Sequence, residues 1–208
     1  MTDIIKTAKV GTNADLFPDI LQMYVPEGSR VLDMTFGKGV FWKKVDTSKY
    51  QLDTNDISED RGDSHYDFRQ IPVVDSSYDT VVLDPPYIYH SGAVHKEGGM
   101  HTDYRNDERA IAGVYGVPAV DAMFQDGMTE AYRLLKPLGI LVVKCMDQIV
   151  GSKQVWQHIT LIGIAEKLGY TAEDLFVLVR NGALIMRWDH QVHARKNHSY
   201  FLIFRKPK

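Results

Sequence analysis

The chain has 208 residues and a formal net charge of −3; 44% of its residues are hydrophobic and 25% are charged. These proportions are typical of a globular protein, and they exclude a disordered chain, a coiled coil and a collagen-like fibre. The single cysteine, Cys145, excludes a disulfide framework and any metal site built from several cysteines. No apolar run is long enough for a membrane span and the N-terminus lacks a signal-peptide core, so we expect a cytoplasmic protein with one domain over residues 1–208.

Predicted strands and helices alternate along most of the chain. Apolar runs predict strands at 29–34, 51–56, 65–66 (weakly), 80–83, 140–144, 175–180 and 200–205. Helical spacing predicts helices at 16–24, from about 40, at 58–63, 119–136 and 154–168. This alternation predicts an α/β fold with a mostly parallel, seven-stranded sheet covered by helices on both faces. No helix separates the last two strands, so the C-terminal strand is expected to run antiparallel.

A glycine-rich turn follows the first predicted strand, in residues 33–39 (DMTFGKG). Gly37 and Gly39 lack a Cβ at a point where the backbone must turn sharply and could approach a ligand closely. The glycines alone are also compatible with an ordinary tight turn between a strand and a helix. Asp56, at the end of the second strand, stands where doubly wound sheets place an acid that accepts hydrogen bonds from ribose hydroxyls. Together these features favour a cofactor that contains a nucleoside.

The strand at 80–83 ends abruptly in Asp84-Pro85-Pro86-Tyr87. Two successive prolines cannot continue a central strand, because neither has an N–H group to donate. The segment offers a carboxylate, a carbonyl on a rigid backbone and an aromatic ring, which together suit a planar base that carries an amino group. The alternative is a rigid loop that begins with an aspartate turn. The polar, glycine-rich residues 88–118 follow, and we expect them to form an active-site loop that closes over the substrate.

The C-terminal stretch from residue 180 onward carries seven basic residues and one acidic residue. This local excess of positive charge predicts contacts with nucleic-acid phosphates, carried by Arg187, His193, Arg195 and Lys196. A solvated basic tail is the alternative interpretation.

Two other features do not predict chemistry. The histidines of the long loop, His90, His95 and His101, fit no spacing of metal ligands, so no metal site is predicted. Cys145 follows an apolar strand without a preceding proline, which gives no support to cytosine C5 methylation through a cysteine nucleophile.

Taken in order, these motifs resemble those of S-adenosylmethionine-dependent amino-methyltransferases, particularly the N6-adenine-specific DNA methyltransferases, in a compact form. The matching segments are 13–18 (NADLFP), 33–39, 56–58 (DIS), 67–68 (DF), 84–87 (DPPY) and 130–137 (EAYRLLKP). The resemblance implies a Rossmann-like class I methyltransferase fold. It also implies that S-adenosyl-L-methionine is held by Phe17, Asp33, Thr35, Phe36, Gly37, Gly39, Asp56, Asp67 and Phe68, and that catalysis rests on Asp84, Pro85, Pro86 and Tyr87.

The activity implied by the resemblance is methyl transfer from S-adenosylmethionine to an exocyclic amino group, N6 of adenine in DNA above all. The target base would leave the duplex to reach the pocket. Only 44 residues separate Gly39 from Asp84, which leaves no room there for a target-recognition domain. Specificity would therefore come from residues 88–118 or 181–199, from a second copy of the chain or from a separate partner. An RNA methyltransferase acting on guanine N2 or adenine N6 and a catalytically idle nucleic-acid-binding subunit remain as alternatives.

Overall fold

The computed structural model describes residues 4–87, 117–181 and 190–208, and it contains a seven-stranded sheet with helices against both faces. In chain order the elements are β1 (Ala8–Val10), α1 (Asn13–Tyr24), β2 (Arg30–Asp33), β3 (Gln51–Thr54), β4 (Tyr78–Leu83), α2 (Val117–Leu134), β5 (Leu135–Cys145), β6 (Gln148–Val150), β7 (Lys153–Val155), α3 (Gln157–Leu168), β8 (Thr171–Val179) and β9 (His198–Arg205). Two short 3-10 helices, at Phe41–Lys44 and Thr47–Lys49, lie between β2 and β3.

The strands of the large sheet are arranged in the order β1-β8-β9-β5-β4-β2-β3. β9 runs antiparallel to both of its neighbours, β5 and β8, and all other pairs are parallel. The predicted α/β class, the number of strands in the large sheet and the antiparallel C-terminal strand are thereby confirmed. β2 has β3 on one side and β4 on the other, so the carboxyl ends of β2 and β4 border the crevice where sheets of this kind bind ligands.

Each face of the sheet is covered by its own hydrophobic cluster. Val82 packs with Phe17 of α1 on one face, whereas the next residue, Leu83, packs with Phe124 of α2 and Leu161 of α3 on the other. Successive side chains of a strand point to opposite faces. A central strand covered on both faces therefore has apolar residues at consecutive positions, which is why residues 80–83 form an unbroken β-branched and apolar run.

The predicted strand at 65–66 and the predicted helix at 58–63 are wrong. This stretch consists of turns and bends with one isolated parallel bridge, between Asn55 and Ser64. The fully buried Asn55 amide replaces a regular strand pairing here: its Nδ2 donates to the carbonyls of Met34 and Tyr66, and its Oδ1 accepts from the N–H of Tyr66. The seventh strand is instead β1, at the edge of the sheet opposite β3, and its three residues are too few to be recognised from a pattern.

The element boundaries also differ from those predicted. α1 begins at Asn13 rather than 16, where the Asp15 carboxylate accepts a hydrogen bond from the N–H of Thr12. α3 begins at Gln157 rather than 154, because the preceding residues form the unpredicted hairpin of β6 and β7.

The predicted loop at 88–118 lies outside the described residues except for its last two, which open α2. Across the three described ranges, no helix has both the length and the apolar character needed to cross a bilayer.

Candidate active site

The buried carboxylate of Asp33 holds the turn that follows β2. Its Oδ1 accepts a hydrogen bond from the N–H of Thr35 at 3.1 Å, and its Oδ2 accepts one from Trp42 Nε1 at 2.7 Å. Burial, together with the negative charges of Asp84 and Asp56, raises the pKa of Asp33 to about 7. The side chain predicted to touch a cofactor therefore lies beneath the glycine-rich turn and fixes its backbone.

Both glycines of the turn adopt a backbone conformation that L side chains rarely take. Gly37 has φ +56° and Gly39 has φ +61°, and a Cβ on Gly39 would stand 2.7 Å from the ring of Phe36. The N–H of Gly37 donates to Asp56 Oδ2 at 2.8 Å, and the N–H of Ser58 donates to Asp56 Oδ1 at 2.9 Å. Asp56 thus ties the turn after β2 to the end of β3.

A hydrogen bond connects this turn to the segment Asp84-Pro85-Pro86-Tyr87. The N–H of Asp84 donates to Thr35 Oγ1 at 2.7 Å. Next to this bond, the N–H of Met34 donates to the carbonyl of Val82. Since Pro85 and Pro86 carry no N–H groups, Asp84, directly after β4, supplies the last backbone donor before the two prolines. The two motifs singled out in the sequence are therefore in contact, on neighbouring strands.

The environment of Asp84 acts on its charge in two opposing ways. The surrounding protein raises the pKa of the carboxyl above its usual value by removing water, whereas the positive charges of Lys144 and Arg180 oppose that rise. Asp84 as a residue is partly exposed, at the end of the strand. A carboxylate held in this way can accept hydrogen bonds from an amino group and favour positive charge on it.

Tyr87, the last residue of the segment, contacts α2 and the residue Gln148. Its ring stacks on Phe124 of α2, with ring centroids 6.2 Å apart, and its carbonyl accepts a hydrogen bond from Gln148 Nε2 at 2.7 Å. Pro85 is buried, while Pro86 and Tyr87 are partly exposed. Stacking of Tyr87 on a substrate base stays a prediction.

The other residues predicted to touch a cofactor do not gather in one place. Phe17 is fully buried against Phe41, Trp42 and Phe201 in the cluster under α1. Phe68 belongs to the cluster on the opposite face of the sheet, where a Cβ on Gly127 would stand 2.8 Å from its ring. The Asp67 carboxylate is bound by the neighbouring Arg69 guanidinium, which lowers its pKa. These three residues have packing or ion-pair partners, and their cofactor roles stay predictions.

The basic C-terminal segment reaches the same edge of the sheet. Because β9 is antiparallel to β5, with Tyr200 opposite Cys145, the residues that precede β9 lie where β4 and β5 end. Arg195 is exposed, His193 is partly buried, and the Lys196 ammonium lies 5.3 Å from the centroid of the Trp156 ring. Arg187 lies outside the described residues.

A polar network at this edge was not recognised from the sequence. The buried Asp147 carboxylate lies 2.7 Å from His158 Nδ1 and accepts a hydrogen bond from the Tyr200 hydroxyl at 3.3 Å, and that hydroxyl lies 2.9 Å from His198 Nε2. Burial and the Asp147 charge raise the pKa of Tyr200 to about 12. The network connects β5, α3 and β9 next to Gln148. The sequence did contain a signal for this network. Asp147 is an acid just beyond the end of an apolar strand, as Asp56 is.

The thiol of Cys145 is buried, and burial raises its pKa far above the usual value. A thiolate is the nucleophilic form of cysteine, so the surroundings of Cys145 disfavour a nucleophilic role.

The titration of Asp33 tests the geometry of the turn directly. Its carboxyl has an ordinary pKa of 3.8, which the fold raises to about 7. A raised pKa means that its contribution to stability is complete below pH 3.8 and is lost as the pH rises through 7. We expect carboxyl ¹³C NMR, with Asp33→Asn to identify the resonance, to show a midpoint near pH 7. A midpoint at the ordinary value would contradict the burial of this carboxyl beneath the turn.

Two solved structures that share this fold over most of both chains are described as methyltransferases, whereas another, with a TM-score of 0.56 at 15% identity, is a [4+2]-cyclase. A proposed methyltransferase from Bacillus halodurans C-125 superposes with a TM-score of 0.59 at 14% identity, over 92% of this chain and 99% of that chain. A SAM-dependent methyltransferase from Methanosarcina mazei gives a TM-score of 0.55 at 12% identity, over 90% and 97% of the two chains. The fold is that of the class I methyltransferases. No family profile and no curated protein matches the sequence.

A third similar structure is a proposed DNA modification methylase from Thermus thermophilus in complex with S-adenosyl-L-methionine. It shares 22% identity over 68% of this chain and 54% of its own, with a TM-score of 0.48. The present chain thus spans about half the length of that protein. A shared fold does not by itself assign a reaction, so the function must be argued from the site.

Proposed function

We propose that this protein transfers a methyl group from S-adenosyl-L-methionine to an exocyclic amino group of a nucleobase, N6 of adenine in DNA. The observation that carries the proposal is the position of Asp84-Pro85-Pro86-Tyr87. This segment ends the central strand β4, and its first backbone N–H is bound by Thr35 of the glycine-rich turn. A group that accepts hydrogen bonds from an amino group therefore lies beside a turn suited to a nucleoside cofactor.

The charges around the turn favour a cationic cofactor over a phosphate-bearing one. Asp33, Asp56 and Asp84 follow one another around the ends of β2, β3 and β4, close enough for Asp56 and Asp84 to raise the pKa of Asp33. Negatively charged carboxylates at this edge repel a phosphate group and attract a sulfonium. In the proposed complex Asp56 accepts hydrogen bonds from the ribose hydroxyls, while its other contacts keep the turn in place.

Catalysis in this proposal is mainly a matter of position and electrostatics. The bound cofactor supplies an electrophilic methyl group on a positively charged sulfur. The amino nitrogen of adenine is a weak nucleophile, because its lone pair is conjugated with the ring. The Asp84 carboxylate and the Pro85 carbonyl accept its two N–H groups, orient the nitrogen for in-line attack and stabilise the positive charge that develops on it. The carboxylate then accepts the proton that the nitrogen must lose, and Tyr87 stacks on the base.

Nucleic acid is the proposed substrate because basic side chains lie at the same edge as Asp84. Lysine and arginine side chains are common partners of phosphates, and the segment before β9 presents the exposed Arg195 and the partly buried Lys196 there. The whole chain carries a net negative charge, so attraction of nucleic acid has to come from a local basic segment such as this one.

The direct test is uptake of a labelled methyl group. The protein is incubated with methyl-labelled S-adenosylmethionine and, in separate reactions, with double-stranded DNA and with RNA. We expect label in DNA at an initial rate proportional to protein concentration. Label in RNA alone would replace DNA by RNA as the substrate, and no label in either, although the cofactor binds, would contradict the proposal.

Replacing the basic pair tests the nucleic-acid contacts separately. We expect Arg195→Ala/Lys196→Ala to weaken DNA binding and to lower the slope of log affinity against log salt by about 0.9 for each phosphate that the variant no longer binds. The matched control is Lys49→Ala/Lys136→Ala, which removes two charges near the amino ends of β3 and β5, at the opposite edge of the sheet. Equal slopes in the two double variants would show that the basic segment is only a solvated surface.

A further inference from the structure

Lys144, near the end of β5, is a buried lysine that the proposed mechanism does not yet use. Its side chain is fully buried, although an ammonium group is among the most costly groups to remove from water. Nζ donates a hydrogen bond to Ser199 Oγ at 2.6 Å and lies 4.0 Å from the centroid of the Phe201 ring, both on β9. An apolar side chain would fill the same volume at lower cost, so the positive charge calls for an explanation.

The strand register places Lys144 beside Asp84. β4 and β5 are parallel, with Val82 opposite Val142 and Leu83 opposite Val143, so the next two residues stand side by side. Val82 and Val142 belong to the cluster under α1, and Leu83 and Val143 belong to the opposite cluster. By this alternation, Asp84 and Lys144 return to the α1 face together. Their charges interact, since each opposes the shift in pKa that burial causes in the other.

Other titratable groups face this pair from the neighbouring strands. Asp33 on β2 interacts with Asp84, and Arg180 beyond the end of β8 interacts with both Asp84 and Lys144. The adjacent Cys145 thiol is held neutral by burial, which raises its pKa. Lys144 is the buried cation of the group and the largest opposing influence on the pKa of Asp84, ahead of Arg180.

We propose that Lys144 is a positioning residue for methyl transfer, whose buried ammonium keeps the Asp84 carboxylate ionised at the end of β4. This inference rests on the proposed function, because it assigns Asp84 the task of accepting hydrogen bonds from the substrate amino group. A protonated Asp84 would present a hydroxyl to that group and would lose the negative charge that favours the developing cation. Ser199 and the Phe201 ring hold the ammonium in place, so that its charge acts on Asp84 from a fixed position.

The first test needs neither cofactor nor substrate. Carboxyl ¹³C NMR follows the titration of Asp84 in the wild-type protein and in Lys144→Gln, with Asp84→Asn to identify the resonance. An opposite charge nearby lowers the pKa of a carboxyl by about one to three units, so Lys144→Gln should raise the Asp84 midpoint by about that amount. Lys144→Met should give the same shift, and it replaces Lys144→Gln if that variant does not fold.

The matched control is Lys136→Gln. Lys136 stands at the other end of β5, where its Nζ donates to Asp79 Oδ1 of β4 at 2.7 Å, so the variant removes a lysine from a lysine–aspartate pair on the same two strands. It should leave the Asp84 midpoint unchanged. An Asp84 midpoint that stays at its wild-type value in folded Lys144→Gln and Lys144→Met would overturn the inference.

The second test uses the pH dependence of the methylation rate. If Lys144 acts through the charge of Asp84, Lys144→Gln and Lys144→Met lose methylation rate at neutral pH and regain it at higher pH. In the profile of rate against pH, the rise on the acidic side should move to higher pH by about one to three units. Equal loss at every pH would show a merely structural role and would contradict the inference. If the wild-type protein transfers no methyl group, the proposed function fails, and the NMR titration still decides whether Lys144 controls the ionisation of Asp84.

Discussion

Asp84→Asn is expected to slow methyl transfer about 100- to 1,000-fold, the usual cost of losing one well-placed electrostatic partner in a transition state. The amide keeps the size of the side chain, but it replaces one acceptor oxygen by a donor that faces the substrate amino group. It also removes the negative charge that stabilises the developing cation. The backbone hydrogen bond from Asp84 to Thr35 Oγ1 does not involve the side chain, so the variant should keep the connection between β4 and the turn.

Single-turnover methylation and calorimetry of S-adenosylmethionine binding should be measured on the same Asp84→Asn preparation. We expect a large loss of rate with nearly unchanged cofactor affinity, because Asp84 faces the base in the proposed complex. Asp126→Asn, the same substitution on the exposed face of α2, is the matched control and should keep the wild-type rate. A near-normal rate in Asp84→Asn, or a loss of rate explained entirely by loss of cofactor, would show that the chemistry lies elsewhere.

Asp56→Ala should weaken S-adenosylmethionine binding by at least tenfold. Each charge-assisted hydrogen bond to a ribose hydroxyl is worth about 1.5–3 kcal/mol, and a difference of about 1.4 kcal/mol corresponds to a factor of ten. The carboxylate also accepts the N–H groups of Gly37 and Ser58, so its removal should loosen the turn as well as the ribose contact.

Calorimetry on the folded Asp56 variants measures this effect. Asp60→Ala is the control, since it removes a carboxylate of the same loop whose side chain is 78% exposed. Asp56→Asn keeps one acceptor oxygen and should fall between wild type and Asp56→Ala. Affinities that do not differ among the four proteins would exclude Asp56 from the cofactor site.

The sequence was sufficient where one local signal determined one element. The run at 80–83 followed by two prolines predicted a central strand and its end, and the missing helix before residues 200–205 predicted the antiparallel strand β9. Both signals have a direct physical cause, namely burial on both faces and the absence of backbone donors. The turn with Gly37 and Gly39 was recognisable for a similar reason, since positive φ angles favour glycine.

Features that depend on contacts between distant parts of the chain could not be predicted. Strand β1 has only three residues and exists through its pairing with β8, more than 160 residues later. The side-chain amide of the buried Asn55 makes hydrogen bonds to the backbone where a strand pairing was predicted, and no periodic pattern in the sequence indicates such side-chain bonds. The position of Lys144 beside Asp84 depends on the register of β4 and β5, while the sequence showed only a lysine at the end of an apolar run.

The measurement that bears most directly on the proposed activity is mass spectrometry of nucleosides from DNA treated with the protein and S-adenosylmethionine carrying a trideuterated methyl group. The proposal predicts trideuterated N6-methyl-2′-deoxyadenosine, formed in amounts that rise with time and that drop sharply with Asp84→Asn. Deuterium found on carbon 5 of cytosine, or on no nucleoside of DNA or RNA although the cofactor binds, would contradict it.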